Sequence, residues 1–324
     1  MTEKLFSEFQ APTTEEWLAK IEVDLKGADF QKRLVWRTNE GFNVQPFYRR
    51  EDLKELKGVD SLPGEFPFIR GNKKDNNLWY VRQDLDVEDP ASANEKALDL
   101  LNKGVNSLGF SIPGSKLSKE FIERLLDNIL PQYVELNFST CQRHCVELAV
   151  LLTDYFKSKN YPLAELEGSI NFDPISKILE KGKDVSPVIS EGKRLIEALS
   201  DLPRYKCISI NSKTLNNSGA YIYQELGNAL AWGTEYIEQL IGQGVEPSAV
   251  ARRIKFNMGV SENYFMEIAK FRAARLLWAQ IVRQYTPDDL EACQMHVCAY
   301  TSEYNQTIFV SYVNLLRSQT EAMS

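Results

Sequence analysis

The sequence predicts an α/β protein: a parallel (β/α) barrel of the TIM type, incomplete at its carboxyl-terminal end, preceded by a helix-plus-hairpin arm. Three observations predict it. From residue 78 onward, short runs rich in β-branched and aromatic residues alternate with helical stretches, seven times in succession. Inside those runs apolar residues alternate with small polar ones, the pattern of strands with two unlike faces. Before residue 70 the pattern is one helix and one hairpin, too little chain to bury its own aromatics.

The arm comes first. Thr13 followed by Glu16 is a capping-box signature, and it opens an amphipathic helix through Trp17, Leu18, Ile21 and Leu25 that ends at Gly27. The runs 34–38 and 42–48, separated by Asn39, Glu40 and Gly41, predict a hairpin. Its aromatics, Trp36, Phe42, Phe47 and Tyr48, together with Trp17 on the helix, must pack on the barrel or on a second chain. They are the partner-contact candidates. The predicted organisation is an arm over residues 1–70 and a barrel over 71–324.

Strands are predicted at 78–83, 105–112, 133–139, 166–173, 205–212, 252–259 and 294–302. Helices are predicted at 92–103, 118–129, 141–158, 185–200, 219–243, 262–284 and 304–321. A closed barrel of this kind needs eight strands. The eighth is expected outside this sequence, which makes the chain a fragment or leaves an edge for something else to cover.

The alternation identifies an interior. Leu108, Phe110, Leu136, Phe138, Ile170, Ile208, Ile210, Phe256 and Met258 must face the helices. Ser107, Ser111, Asn137, Ser139, Ser169, Asn171, Ser209, Asn211 and Asn257 then face inward, and Arg82 and Gln83 join them at the end of the first predicted strand. Barrels usually fill their centres with Val, Ile and Leu. A polar interior is either a self-satisfied network of side-chain hydrogen bonds or a passage built around a threaded ligand, since buried polar groups need partners.

Composition narrows the function classes. The 324 residues carry a formal net charge of −7, which argues against nucleic acid or an anionic membrane surface as partner. No run approaches the roughly 20 apolar residues of a membrane span, and no signal-peptide core follows Met1. Five cysteines, an odd number in a large chain, suit a reducing compartment, so the cytoplasm is expected. His144 and His296 are the two histidines, which shortens the list of acid–base candidates. Cys141, His144 and Cys145 lack the four closed ligands of a structural zinc site, and no metal is expected. Asp86, Glu88 and Asp89 precede Pro90 and read as turn residues capping the next helix. The glycines at 104, 109 and 114 do not have the spacing of a phosphate-binding loop.

Three segments carry a family resemblance. Asn263–Gln280 reads NYFMEIAKFRAARLLWAQ, Gly219–Val245 reads GAYIYQELGNALAWGTEYIEQLIGQGV, and Phe66–Gln83 runs from FPFIRG to LWYVRQ. In this order they resemble the methylmalonyl-CoA mutases, whose corresponding runs are close to NFFMEIAKLRAARxLWA, GA…QELAxxLADGxEYVRA…G and YPFTRG…RPWxIRQ. The resemblance covers nearly the whole chain. It implies a barrel whose axis holds the coenzyme A tail, an arm that embraces a partner subunit, and radical chemistry supplied by adenosylcobalamin.

It also implies three protein groups, and here each is replaced. The family tyrosine before the first strand has no counterpart, since Tyr80 falls inside the predicted strand. The arginine of the fourth-strand loop has none in Asn171–Lys183, where Lys181 and Lys183 read as surface lysines without a bidentate fork. The family motif ISISGYHMQEAGA appears as ISINSKTLNNSGA, so Thr214 stands where the histidine belongs. A threonine hydroxyl donates a hydrogen bond but does not exchange a proton near neutral pH. The seventh-strand pattern departs as well, at His296–Glu303. The family's DxHxxG cobalamin motif and its carboxyl-terminal domain are absent from the sequence.

The expectation is therefore a non-catalytic small subunit that stabilises a homologous large subunit in a heterodimer. The large subunit would hold adenosylcobalamin and interconvert succinyl-CoA and methylmalonyl-CoA. This chain would hold no cofactor. The alternative is an active, or acyl-CoA-binding, mutase-like barrel.

Overall fold

The computed structural model describes residues 8–182 and 186–323. They divide into two compact units, one ending at Val59 and the other running Asp60–Ser324.

The first unit is built on the helix Thr14–Leu25, closed at its start by the reciprocal Thr13–Glu16 capping box and at its end by Lys26 in the left-handed region. Strands β1 (Trp36–Arg37) and β2 (Asn43–Val44) pair antiparallel, with Trp36 opposite Val44. Trp17 and Phe47 meet edge to face at 5.8 Å. Trp36, Phe42 and Tyr48 stay 48%, 50% and 60% exposed, so the hairpin keeps an apolar surface free within this unit.

Among the described residues of the second unit eight strands follow: β3 (Arg82–Asp86), β4 (Ser107–Ser111), β5 (Glu135–Ser139), β6 (Gly168–Ile170), β7 (Tyr205–Lys206), β8 (Ile208–Ile210), β9 (Ile254–Val260) and β10 (Val297–Thr301). They form two sheets, β3-β4-β5-β6-β7 and β10-β9-β8, with every pairing parallel. Only Cys207 separates β7 from β8, so one run of chain belongs to both sheets. Helices separate the other successive strands, among them Pro90–Asn102, Cys145–Ser158, Ile222–Ile241 and Tyr264–Tyr285.

The first strand corrects the sequence reading. Leu78–Val81 are 44–74% exposed and unpaired as strand, and the ladder starts at Arg82 opposite Ser107. Tyr80 therefore precedes the strand instead of lying inside it. Its phenol donates to Glu167, just before β6, at 2.6 Å, which puts it at the amino ends of the strands.

The apolar face of each strand carries the core. Leu108, Phe110, Leu136, Phe138, Ile170, Ile208, Ile210, Phe256 and Met258 are all at most 2% exposed and pack under the helices. Helix 222–241 lies close on helix 264–285 because position 233 is glycine. A Cβ there would stand 2.8 Å from the Trp278 ring, which itself meets Phe256 edge to face at 4.8 Å. No helix among the described residues is long and apolar enough to cross a membrane.

Candidate functional site

The polar faces of the two sheets look toward each other. Lys255 on β9 sends its ammonium to Asn137 Oδ1 on β5 at 2.9 Å and to Ser169 Oγ on β6 at 3.0 Å. Asn137 Nδ2 in turn donates to Glu135 Oε2 and to Ser107 Oγ, both at 3.0 Å, and Ser107 Oγ donates to Glu135 Oε2 at 2.5 Å. One amide thus joins a buried cation to a buried carboxylate. Burial acts to raise the Glu135 carboxyl, but Lys255 and the hydrogen bonds from Ser107 and Asn137 outweigh it and hold the group low. Burial drives Lys255 the other way, below the ordinary lysine range.

Nearer the carboxyl ends lies a second layer. Asn257 Nδ2 donates to Asn211 Oδ1 at 2.7 Å, and Asn211 Nδ2 reaches Asn171 Oδ1 at 3.1 Å and Asp173 Oδ2 at 2.7 Å. Asp173 is fully buried and also accepts from Tyr236 at 2.7 Å and Trp232 at 3.1 Å. Burial pushes its carboxyl up to about 6, against the hydrogen bonds of Tyr236, Asn211 and Ser176. It ties β6, β8 and helix 222–241 together and caps the helix Pro174–Lys181. Its bonds are structural.

Above this layer a cavity of about 300 Å³ opens at the carboxyl ends, bordered by Ser111, Ser139, Ser169, Asn171, Ser209, Asn211 and Asn257. Arg82, Asp84, Lys213, Lys255 and Tyr300 border it too. Arg82 Nε pairs with Asp84 at 2.7 Å, while its guanidinium lies 5.8 Å from the Tyr300 ring and 3.9 Å from Cys298 Sγ. Lys213 sits 3.7 Å over the same ring, and burial lowers its pKa despite Asp84.

Of the eleven interior candidates, ten take part in these layers or border the cavity. Gln83 does not. It stands opposite Leu108 on the helix-facing side and is exposed, while Asp84 takes the inward place. Neighbouring strand residues point to opposite faces, so Arg82 and Gln83 could not both face inward. The alternation also puts Glu135 in phase with Asn137, and the structure turns it inward; the inward group that sequence reasoning missed is Lys255, although RRIKFNMG has it in phase with Asn257.

Thr214 lies half-buried at the cavity wall, in the short helix Lys213–Asn217. No histidine borders the cavity. His296 lies just before β10, where burial, Lys206 and Lys255 push its imidazole down to about 3. His144 Nδ1 pairs with Glu147 at 2.8 Å, and its Nε2 edge lies against Gly114, 3.0 Å from where a Cβ would stand. Cys145 is buried, and among the described residues no three His, Cys, Asp or Glu side chains gather as a metal site. Asp89 caps helix 90–102 through the Ser92 amide at 2.8 Å. Lys181 is exposed and Lys183 lies outside the described residues.

A third cluster explains two of the segments that carry the resemblance. Lys270 lies 2.7 Å from Glu225 Oε2 and 2.5 Å from Glu267 Oε2, with side-chain exposures of 0%, 0% and 4% respectively. The second contact is ionic without the alignment of a hydrogen bond. Lys270 also donates to the Gly259 carbonyl at 2.7 Å, and Glu225 Oε1 accepts from the Gly259 amide at 2.8 Å. Ser212 and Asn216, on either side of Thr214, donate to Glu225 at 3.3 and 3.2 Å. The glutamate of QEL and the glutamate and lysine of MEIAK therefore lock the end of β9 to the turn after β8.

Comparison with known proteins agrees with this. The family model described as methylmalonyl-CoA mutase matches residues 37–116 and 117–324. The chain is 48% identical, over 99% of its length and 52% of the relative's, to the methylmalonyl-CoA mutase small subunit of Porphyromonas gingivalis. It is 27% identical, over 100% of its length and 52% of the relative's, to the small subunit of Propionibacterium freudenreichii subsp. shermanii. It is 28% identical, over 95% and 47%, to the methylmalonyl-CoA mutase of Cereibacter sphaeroides. The chain spans about half the length of these curated relatives. Matched from the hairpin through its last helix, and built around the ion cluster that its QEL and MEIAK segments encode, the chain belongs to the methylmalonyl-CoA mutase family.

Proposed function

We propose that this chain is the non-catalytic small-subunit part of an adenosylcobalamin-dependent methylmalonyl-CoA mutase, pairing in the cytoplasm with a homologous catalytic large subunit. Its second unit is read as seven βα units of a TIM-type barrel, with the interior described above as its lumen. The observation that carries the reading is Thr214 at the mouth cavity, with no imidazole bordering it. Two of its cations are already engaged: Arg82 with Asp84 and Tyr300, Lys255 with Asn137 and Ser169.

Adenosylcobalamin does not fit the histidines of this chain. His144 is held between Glu147 and Gly114, and His296 sits among cationic neighbours away from the cavity. The cofactor is assigned to the partner, and no step of its chemistry runs through these residues. The reading of the chain as an active or acyl-CoA-binding barrel needs an open lumen, and Lys255 lies across it.

The chain alone, mixed with adenosylcobalamin and methylmalonyl-CoA, is expected to give no succinyl-CoA, while co-expression with the large subunit gives turnover and a co-eluting complex. Turnover by the chain alone sinks the reading. The exposed arm aromatics are the proposed contact with the partner, because large exposed aromatics mark association surfaces. Trp36→Ala, Phe42→Ala and Tyr48→Ala together are expected to cost the complex about 2 kcal/mol or more. Unchanged co-elution at decreasing concentration would remove the arm from the interface.

A further inference from the structure

We propose that Lys255 and Arg82 form a two-sided plug that closes the interior beneath the mouth cavity, so that no extended ligand lies along the strand axis. This rests on the reading of the chain as inert and names the residues that make it so.

The geometry comes from the two sheets. Lys255 starts on β9 and ends between Asn137 of β5 and Ser169 of β6, bypassing the adjacent strand β8. Its side chain therefore crosses the interior instead of lining it. Arg82 starts on β3, at the far edge of the other sheet, and ends against Cys298 and Tyr300 of β10. No backbone pairing joins β3 to β10 among the described residues, so the Arg82 side chain spans that seam. Both residues border the cavity, whereas Ser107, Glu135 and His296 do not. The two cations are its floor.

The chemistry explains why these long side chains stay crossed. Lys255 is 2% exposed, and a bare ammonium at that depth would be costly. It is retained because Asn137 accepts from it and passes the interaction on to Glu135. Withdrawing Lys255 would strand Glu135, so the crossed arrangement is self-locking. An interior of serine and asparagine alone would leave room for water or a narrow chain. Two filled cross-sections do not.

The test compares access to the region beneath the floor. Ser107→Cys, with Cys141→Ser and Cys298→Ser to remove the exposed native thiol and the one beside Arg82, is labelled with a small maleimide in two backgrounds. One is otherwise unchanged; the other carries Lys255→Ser, Arg82→Ser and Glu135→Gln, the last removing the stranded charge. Far-ultraviolet dichroism and thermal melting establish that both are folded. Labelling is expected to be at least about tenfold faster in the opened background, because a closed interior reacts only through rare opening. If a folded opened variant labels no faster, or the triple change prevents folding while a folded Lys255→Ser, Glu135→Gln variant labels at the unchanged rate, the plug is wrong. Calorimetric titration with methylmalonyl-CoA separates this from the function itself. Saturable binding by the unaltered chain, with the Ser107→Cys thiol still slow, would overturn the inert reading and leave the plug standing.

Discussion

Lys270→Met is expected to destabilise the protein by about 3–5 kcal/mol, the usual cost of removing one member of a fully buried ion cluster. The size follows from what is left behind. Without the ammonium, Glu225 and Glu267 face each other's charge at 0% and 4% side-chain exposure, and the Gly259 carbonyl loses its donor. The damage should travel, because Glu225 also holds Ser212, Asn216 and the Gly259 amide. The turn carrying Thr214 and the end of β9 are expected to loosen together, visible as faster hydrogen exchange at both. Urea denaturation measures the total. The combination Lys270→Met, Glu225→Gln and Glu267→Gln is expected to recover part of the loss, since it no longer strands a charge. A single-variant loss below about 1 kcal/mol would mean that water reaches the cluster and that the site is not the dry lock described.

That cluster marks the limit of what the sequence discloses. Glu267 and Lys270 stand three apart on a helix, the ordinary spacing of a solvated surface pair. Nothing local separates a pair in water from one folded under a turn formed by chain forty to sixty residues earlier. The resemblance flagged the segment but not its physics. The strands were more legible, because a period of two is imposed by the backbone itself. It sorted Leu136 and Phe138 from Asn137 and Ser139, and Ile208 and Ile210 from Ser209 and Asn211, with the faces the structure gives them.

The failures have the same root. LWYVRQ looks like a strand by composition, yet pairing is decided by the neighbour, and β4 begins opposite Arg82. The four residues before it then remain exposed, and the phase that would have excluded Gln83 and admitted Asp84 was lost. Lys255 is in phase with Asn257, but lysines are mostly exposed, and nothing within its own strand predicts an inward one. Only the partner strands, β5 and β6, make an inward lysine tenable.

His296 extends the same logic to pH. Its imidazole falls from an unfolded value of 6.5 to about 3, driven by burial and by Lys206 and Lys255, with Arg82 adding to the fall and Glu135 opposing it. The folded chain therefore binds fewer protons than the unfolded one between those values, and stability rises with pH across the window. It is fully present above 6.5 and lost as pH falls toward 3. Between pH 6.5 and 5 the loss from this group alone is about 2 kcal/mol. Asp173 works in the opposite sense. Its folded value, raised to about 6 from 3.8, gives a contribution present at low pH and lost as pH rises through 6. The two partly cancel in the unaltered protein, so a shallow acid slope there is no evidence against either. His296→Gln removes one side of the balance. Relative to the unaltered chain, the variant is expected to gain about 2 kcal/mol on going from pH 6.5 to 5, read from urea midpoints at the two values. Parallel pH dependences for the two proteins would mean that His296 is protonated as readily folded as unfolded, and that the lower interior is open to water.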